Sequence, residues 1–389
     1  MRVDVLVAGG GLVGAALALA LRKRSGGAFN IAIADAAPVR AAAGRAYAVA
    51  PASMAFLESL GVGQDRFAAQ PVLAMRITDS RLHDPVRPEF LTFERAETPL
   101  AHIVDEAELA TAVRAAALAA DVQMLRASVV TIEQGVAGVA VTLGDGQRIS
   151  AALLGAADGA RSTCRMLAGL PVIDWDYKQT GLVATVSQER DHEGRAVQHF
   201  LPDGPFAILP MTGRRSSIVW TDARENAETM LALHPDDLAS ELERRFGAFL
   251  GALTLMTPLA GFPIRFQMAR RFVGERIALV GDAAHVIHPL AGQGLNLGLE
   301  DADALSARII AAARLGLDAG DAASLGLYER DRRAAVVGMG VATDLLNRLF
   351  SSDWTPARLA RDFGLGLVDR APGLKGFFMR RAAGHSVAA

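Results

Sequence analysis

Three glycines near the amino terminus have the spacing found in loops that bind dinucleotides. Gly9, Gly11 and Gly14 form a G-x-G-x-x-G motif, and Asp35 follows 21 residues after Gly14. In such a loop the first glycine permits a tight turn, the second lets the backbone approach a pyrophosphate, and the third lets a helix pack closely against a strand. The amino end of that helix would face the phosphates, and Asp35 would accept the ribose hydroxyls. The sequence therefore predicts a dinucleotide site, with a purely structural glycine turn as the alternative.

The elements around these residues are those that such a site needs. The pattern of apolar residues predicts a buried strand over residues 2–7, a helix over 13–24 and a second strand over 30–34, which together form a βαβ unit. A run of short segments between residues 179 and 221 predicts an antiparallel sheet inserted into this α/β unit. Further strands are expected over 128–133, 138–143, 148–157 and 276–280, and helices over 45–60, 105–120, 235–249, 294–315 and most of the C-terminal region.

Two pairs of neighbouring aspartate and glycine residues follow predicted strands farther along the chain. The first is Asp158-Gly159, and the second is Gly281-Asp282. The second precedes a segment that contains His288, Pro289, Gly292, Gln293, Gly294, Leu295 and Asn296. A single pair of aspartate and glycine is common in turns. The G-x-G-x-x-G loop followed in this order by the two motifs resembles the class A flavoprotein monooxygenases, which have the para-hydroxybenzoate hydroxylase fold. The resemblance implies an α/β protein with a Rossmann-like FAD-binding domain, an inserted antiparallel β-sheet domain for the substrate, and a helical C-terminal region.

Several longer segments are similar to the ubiquinone-biosynthesis hydroxylases, the UbiH-like group of that family. They cover residues 198–205, 292–298 and 358–380. The resemblance implies FAD as cofactor, O2 as co-substrate, and NAD(P)H or a protein as electron donor. It also implies that a flavin C4a-hydroperoxide hydroxylates the aromatic ring of a polyprenylated phenol, with the cofactor doing the oxygen chemistry. A class A hydroxylase of a small soluble aromatic compound, and a non-catalytic FAD-bearing scaffold of a biosynthetic complex, are the alternatives.

The same resemblance assigns roles to individual residues. Arg45 is expected to be a cation near the flavin, and Asp282 is expected to hold the ribitol. Gly292 and Gly294 would let backbone amides approach the flavin, at the start of a helix whose dipole favours negative charge. The complete cofactor-binding set is Gly9, Gly11, Gly14, Asp35, Arg45, Asp158, Gly281, Asp282, Gly292, Gly294, Leu295 and Asn296.

Candidates for chemistry at the substrate are fewer. His288, Pro289 and Gln293 flank the expected flavin turn and are the candidate catalytic residues, but no general base is assigned, because the chain has only three tyrosines. No metal site is expected, because no carboxylate cluster accompanies the histidines of this loop. The substrate pocket is expected to be lined by Tyr47 and by strand residues, with ordinary sheet core as the alternative. These strand residues are His199, Leu201, Phe206, Ile208 and Leu209.

Composition limits the remaining possibilities. The 389 residues are 51% hydrophobic, which excludes a disordered chain. The 40 Lys and Arg nearly balance the 42 Asp and Glu, so the chain has no general electrostatic attraction for nucleic acid. Cys164 is the only cysteine, which excludes an internal disulfide and fits a reducing compartment. No transmembrane span is predicted, because glycines and prolines interrupt the long uncharged runs.

The expected domains are discontinuous, and the last part of the chain forms a separate tail. The FAD-binding domain is expected over 1–70, 101–170 and 266–345, the substrate-binding domain over 71–100 and 171–265, and a helical tail over 346–389. From residue 345 onward seven Lys or Arg outnumber three Asp. A basic segment with aromatic residues can lie on an anionic bilayer, so a cytoplasmic protein at the inner face of a bacterial membrane is expected. Docking of the tail on the FAD-binding domain, or on another ubiquinone-biosynthesis protein, is the alternative.

Overall fold

Three β-sheets and eight α-helices form the described part of the chain in a computed structural model, which describes residues 1–36, 44–79, 89–93, 98–201, 204–289 and 292–350. The tail predicted over 346–389 lies outside the described residues from residue 351 onward. The strands are β1 (Arg2–Ala8), β2 (Ile31–Ala34), β3 (Ala46–Val49), β4 (Ala69–Val72), β5 (Ala74–Asp79), β6 (Glu89–Phe93), β7 (Ala101–Asp105), β8 (Gln123–Leu125), β9 (Val129–Gly135), β10 (Gly138–Leu143), β11 (Arg148–Ala156), β12 (Val172–Gln188), β13 (Arg195–Leu201), β14 (Gly204–Met211), β15 (Arg215–Ala223), β16 (Leu253–Leu255), β17 (Ala260–Ala269), β18 (Val273–Gly274), β19 (Ile277–Leu279) and β20 (His285–Val286). The helices are α1 (Leu12–Arg24), α2 (Pro51–Ser59), α3 (Glu106–Ala119), α4 (Thr163–Leu167), α5 (Arg224–Leu231), α6 (Pro235–Phe246), α7 (Gln293–Arg314) and α8 (Ala322–Phe350), with short 3-10 turns at Ala248–Leu250 and Gly281–Ala283.

The first sheet, of eight strands, is built around the predicted βαβ unit. Its order is β18-β19-β11-β1-β2-β8, and β19, β11, β1, β2 and β8 run parallel. The carboxyl ends of parallel strands meet at one edge of a sheet, which is where open α/β sheets bind ligands. Gly9, Asp35, Asp158 and Gly281 come directly or two residues after four of these strands. The topology therefore brings all of these predicted cofactor-binding residues to one edge of the first sheet.

Helix α1 is buried on every side, which explains its run of alanine and leucine. Its residues from position 14 to 21 are buried, because the helix packs against the first sheet, α3 and α7. A helix that is apolar all round is typical of such an interior position. The buried alanines and leucines of α1 therefore explain part of the high hydrophobic fraction of the chain.

Among the residues that the structure describes, no helix is both long enough and apolar enough to cross a membrane.

The second sheet has nine strands, and its long central strand β12 pairs antiparallel with β15 and β17. One face packs under α6 in a core that contains Trp220 and Phe246. The opposite face meets the third sheet, β3-β7-β4, and the two share an apolar cluster that includes Ala46, Ile103 and Met211. The predicted α/β fold with an inserted, mainly antiparallel sheet is confirmed. The division of the chain into domains at the expected boundaries stays a prediction.

Two predicted helices have different bounds in the structure. Residues 46–49 form strand β3, and the helix expected over 45–60 begins only at Pro51. Proline favours the first turn of a helix and keeps the residue before it extended, which separates the strand from α2. The helix expected over 235–249 ends at Phe246, because Gly247 adopts a φ of +71° that terminates it.

Candidate functional site

The glycine loop after β1 combines close packing with open space. Gly9 has a φ of +97°, and a Cβ there would collide with the carbonyl oxygen of Ala157. A Cβ on Gly14 would collide with the carbonyl oxygen of Gly9. At Gly11 no atom lies within 4 Å of the position of a Cβ, and Gly11 begins α1 without any side-chain cap. Gly9 and Gly14 therefore serve packing, while Gly11 leaves the amino end of α1 accessible to an anion.

Asp35 lies beside this loop, and its carboxylate is bound by the backbone of the loop and by an arginine. Its Oδ2 accepts hydrogen bonds from the backbone N–H of Gly10 at 3.0 Å and from Nη1 of Arg114 at 3.2 Å. Nη1 of Arg114 also donates to the carbonyl oxygen of Gly10 at 3.0 Å. Arg114 was not predicted from the sequence, because it lies on α3, 79 residues from Asp35, and no local pattern links the two.

Asp158 anchors the loop after β11. Its Oδ1 accepts a hydrogen bond from the hydroxyl of Ser162 at 2.5 Å, and its Oδ2 accepts one from the backbone N–H of Cys164 at 3.0 Å. In the same segment, Nη1 of Arg165 donates to the carbonyl oxygen of Ala283 at 2.8 Å. Because Ala283 belongs to the Gly281–Ala283 turn, this hydrogen bond of Arg165 connects the loop after β11 to that turn.

A buried ionic network holds the Gly281 turn from the interior. The N–H of Gly281 donates to Oδ2 of Asp301 at 3.0 Å, and the same oxygen lies 2.6 Å from Nε2 of His285. Nε of Arg332 donates to Oδ1 of Asp301 at 2.7 Å. Burial alone would raise the pKa of Asp301, but His285 and Arg332 outweigh it and hold that pKa below its ordinary value. Asp301 and Arg332 were not predicted from the sequence, since single charged residues in a helical pattern usually lie on a solvated face.

Asp282 belongs to this turn. Its side chain is exposed, but the protein groups around it raise its pKa, while His285 and Arg45 act in the opposite direction. The guanidinium of Arg45 lies 5.2 Å from the ring centroid of Tyr47 and 5.3 Å from that of Phe262. The structure therefore brings the predicted residues Arg45 and Asp282 close enough for their charges to interact.

Tyr47 packs against the core of the first sheet and not on the side of β3 that meets the second sheet. Its hydroxyl donates to Oε1 of Glu106 at 3.2 Å. Burial raises its pKa, Arg45 opposes the rise, and Glu106 and Asp282 add to it. Its neighbour Ala48 packs instead in the apolar cluster between the second and third sheets. Tyr47, predicted to line the substrate pocket, therefore lies next to predicted cofactor residues.

Helix α7 begins at the last glycine-rich segment with its amino end uncapped. Gly292 has a φ of +64° and makes no side-chain cap, and Gly294 has open space where a Cβ would be. Nδ2 of Asn296 donates to the carbonyl oxygen of Ala48 at 2.9 Å, and its Oδ1 accepts from the N–H of Ala50 at 2.9 Å. The side chain of Asn296 thus fixes the β3–α2 connection against the start of α7.

His288 lies just before this helix and is fully buried. Its ring packs edge-on against Tyr177 at 5.2 Å, and the Tyr177 hydroxyl donates to Oδ1 of Asp344 at 2.9 Å. Burial lowers the pKa of His288 to about 4, with Asp344 acting in the opposite direction. The imidazole is therefore neutral at pH 7. The other predicted residues of this segment are at least partly buried: Pro289, Gln293 and Leu295.

The strand residues predicted to line the substrate pocket do not form one wall. Leu201, Phe206 and Ile208 pack in the closed core under α6, and the ring of His199 stacks on Phe206 at 6.4 Å. Leu209 packs on the opposite face, in the cluster shared with the third sheet. Neighbouring residues of a strand face opposite sides of the sheet, so Leu209 faces the third sheet whereas Leu201, Phe206 and Ile208 face α6, and the assignment of these residues to a substrate pocket stays a prediction.

Comparison with known proteins decides between the classes that this geometry allows. A family model described as an FAD binding domain matches residues 2–340. The chain belongs to this FAD-binding family. It is 43% identical to ubiquinone hydroxylase UbiL of Rhodospirillum rubrum, over 98% of this chain and 89% of that protein. It is 34% identical to 3-demethoxyubiquinol 3-hydroxylase of Escherichia coli, over 98% of both chains. The chain aligns with the structure of p-nitrophenol 4-monooxygenase PnpA from Pseudomonas putida DLL-E4 over 100% of both chains, with a TM-score of 0.79 at 18% identity. This similarity shows a shared fold.

The described residues fit FAD. Two helices, α1 and α7, present uncapped amino ends, and Gly11 and Gly294 leave open space there. Asp35 and Asp282 are carboxylates that could accept the ribose and ribitol hydroxyls of such a dinucleotide. Within the described ranges no group of three or more His, Cys, Asp or Glu is arranged to hold a metal ion.

Proposed function

We propose that this protein is an FAD-dependent monooxygenase that hydroxylates the aromatic ring of a polyprenylated phenol in ubiquinone biosynthesis. The observation that carries the proposal is the similarity over 98% of the chain to relatives named ubiquinone hydroxylase and 3-demethoxyubiquinol 3-hydroxylase. The site described above supports it, because its residues suit the cofactor that this reaction requires.

Bound FAD, once reduced by NAD(P)H or a protein donor, supplies an electrophilic oxygen atom from O2 to an electron-rich ring. The residues of this chain bind and orient the reactants. Gly11 and Asp35 would hold the pyrophosphate and the ribose, and Asp282 would hold the ribitol. The amino end of α7, beginning at Gly292, would favour negative charge at the flavin.

We place the substrate ring between the second sheet and the start of α7. Leu209 and Ala48 belong to the same apolar cluster between the second and third sheets. A Cβ on Gly292 would lie 3.5 Å from the Cβ of Ala48, so this cluster adjoins the segment assigned to the flavin. An apolar wall at this position would exclude water from the reacting centre and accept a prenylated ring.

His288 is proposed as a packing residue near the cofactor. A group with a pKa of about 4 is a weak proton acceptor at pH 7. The test is the kinetics of flavin reoxidation in His288→Ala. An unchanged yield of hydroxylated product per turnover supports the packing role, and loss of product with unchanged flavin binding contradicts it.

The C-terminal tail is proposed to bring the protein to a membrane surface, where a polyprenylated substrate resides. Its excess of basic residues, seven against three acidic ones from residue 345, supports binding to anionic lipid. Co-sedimentation with anionic liposomes should be compared for the full chain and for a truncation after residue 350, with retained flavin as the control for folding. Equal binding by the two proteins would exclude a membrane-binding tail.

The decisive experiment combines a deletion strain with the purified protein. Mass spectrometry of quinone intermediates in the deletion strain should reveal a prenylated phenol that lacks one ring oxygen. The purified holoenzyme, identified by its flavin spectrum, should add one oxygen atom to that intermediate when supplied with a reductant and O2. Consumption of O2 without oxygen transfer to any prenylated phenol would overturn the proposal and favour a small soluble aromatic substrate or a scaffold role.

A further inference from the structure

We propose that Arg114 is a positioning residue for the adenosine end of the FAD site and that it acts through Asp35. The inference rests on the proposed assignment of Asp35 to the ribose hydroxyls. The glycine loop and Asp35 come from the first βαβ unit, whereas Arg114 comes from α3, which packs on α1. A third element of the fold therefore completes this end of the site.

The contacts of Arg114 fix the orientation of the carboxylate. Nη1 of Arg114 donates to Oδ2 of Asp35 at 3.2 Å, and the N–H of Gly10 reaches the same oxygen at 3.0 Å. Two donors on one oxygen restrict rotation of the carboxylate, so the direction of Oδ1 is set before a ligand arrives. The side chains of Arg114 and Asp35 are only 20% and 17% exposed. The pair is therefore screened less by water than a surface ion pair is.

The same contact holds the glycine loop in place. Nη1 of Arg114 also donates to the carbonyl oxygen of Gly10 at 3.0 Å, so one guanidinium binds both the loop and the carboxylate. A Cβ on Gly10 would lie 2.7 Å from Oδ2 of Asp35 and 2.8 Å from Nη1 of Arg114. A side chain at the middle position of G-x-G would therefore displace the ends of the Asp35 and Arg114 side chains from the positions in which they bind the loop.

Charge gives Arg114 a second role at this site. An isolated carboxylate near the amino end of α1 would repel the pyrophosphate that the helix attracts. The positive charge of Arg114 reduces that repulsion, and a carboxylate has enough acceptor positions to bind a hydroxyl group as well. Loss of Arg114 should therefore weaken the binding of the adenosine half of the ligand and leave the binding of the flavin half unchanged.

The test is titration of the full-length apoprotein with FAD, with ADP and 2′-deoxy-ADP as probes of the adenosine half, and with FMN as a probe of the flavin half. In Arg114→Ala, the affinity for FAD and ADP should fall by about ten- to a hundredfold, the usual effect of losing a charge-assisted hydrogen bond. The affinity for FMN should stay at the wild-type value. The preference of the wild-type protein for ADP over 2′-deoxy-ADP should disappear, as in Asp35→Ala, and the double variant should bind ADP no more weakly than Asp35→Ala.

Arg148→Ala is the matched control, because Arg148 is a 63% exposed arginine at the amino end of β11, at the opposite edge of the first sheet, and its loss should change none of these affinities. If Arg114→Ala does not fold, Arg114→Lys keeps the charge but not the planar guanidinium, and should reduce the ADP preference in the same direction. Equal losses for FMN and ADP, or an unchanged preference for ADP over its 2′-deoxy form, would overturn the proposal. These titrations involve no phenol, so a failure of the proposed hydroxylation would leave their outcome unaffected.

Discussion

The carboxylate of Asp301 and the guanidinium of Arg332 meet at 2.7 Å in the interior of the protein, where Asp301 has no exposure to solvent. Asp301 lies on α7 and Arg332 on α8, so their contact joins two helices. The other oxygen of Asp301 accepts the N–H of Gly281. An ionic pair between helices thereby supports the turn proposed to hold the ribitol.

Asp301→Asn should destabilise the protein strongly. The substitution leaves a buried guanidinium with a weakened partner, and breaking a buried ion pair from one side costs about 3–5 kcal/mol. Denaturant unfolding of the holoenzyme measures the loss. Asp303→Asn is the control, because Asp303 pairs with Arg24 at a site where its side chain is 48% exposed, and such pairs contribute about 1 kcal/mol or less. A stability for Asp301→Asn within that smaller range would contradict the role of the pair.

Alanine at two glycines of the first loop should separate folding from cofactor binding. Gly11→Ala should leave the stability of the apoprotein within about 0.5 kcal/mol, because the new methyl group meets no protein atom. It should lower the affinity for FAD by about tenfold or more, equivalent to about 1.4 kcal/mol. The reason is that the methyl group occupies the space through which the backbone approaches the pyrophosphate. Gly14→Ala should instead destabilise the apoprotein by about 1–3 kcal/mol or more, since it collides with the carbonyl oxygen of Gly9. Similar profiles for the two variants would show that the glycines do not have different roles.

Much of the fold and the cofactor edge can be predicted from the sequence, because the signals are local. The βαβ unit follows from apolar periodicity and glycine spacing, and the first-sheet topology then carries Asp158 and Gly281 to the same edge as Gly9. Arg114 and Asp301 could not be predicted in this way. Their functions come from contacts across 79 and 20 residues of sequence, which only the packing of α3 and α7 creates.

The substrate side was harder to predict for a different physical reason. Alternation along a strand shows which residues share a face, but not which face a helix covers. Phe206 and Leu209 are both apolar and three residues apart on β14, so they face opposite sides of the sheet, but the sequence does not show which of the two sides a helix covers. In the structure α6 covers the face of Phe206, and the third sheet meets the face of Leu209.

Substitutions on these two faces should therefore affect different properties. Phe206→Ala should cost about 3–5 kcal/mol of stability, because it leaves a cavity in a closed core, and the folded fraction should keep the wild-type ratio of hydroxylated product to O2 consumed. Leu209→Ala should cost less, since Leu209 is only partly buried, but should lower that ratio by admitting water to the proposed ring site. Thermal unfolding and product analysis on the same samples distinguish the two. A normal ratio in Leu209→Ala would remove Leu209 from the substrate site.

The buried imidazole of His288 should make the protein sensitive to mild acid. Its pKa is about 4 in the folded protein against 6.5 when unfolded, so the unfolded state binds the proton first as the pH falls. This contribution to stability is complete above pH 6.5 and is lost progressively toward pH 4, by about 3 kcal/mol at that end.

Denaturant unfolding of wild type and His288→Gln between pH 7 and pH 4 measures the effect. The variant starts from its own stability at pH 7, so the slope is the quantity to compare, and it should be shallower than in wild type because glutamine does not titrate. His234→Gln is the matched control, since the side chain of His234 is 71% exposed and its removal should leave the slope unchanged. Parallel pH profiles for wild type and His288→Gln would mean that other groups cause the acid sensitivity and that His288 is protonated in the folded protein as readily as in the unfolded chain.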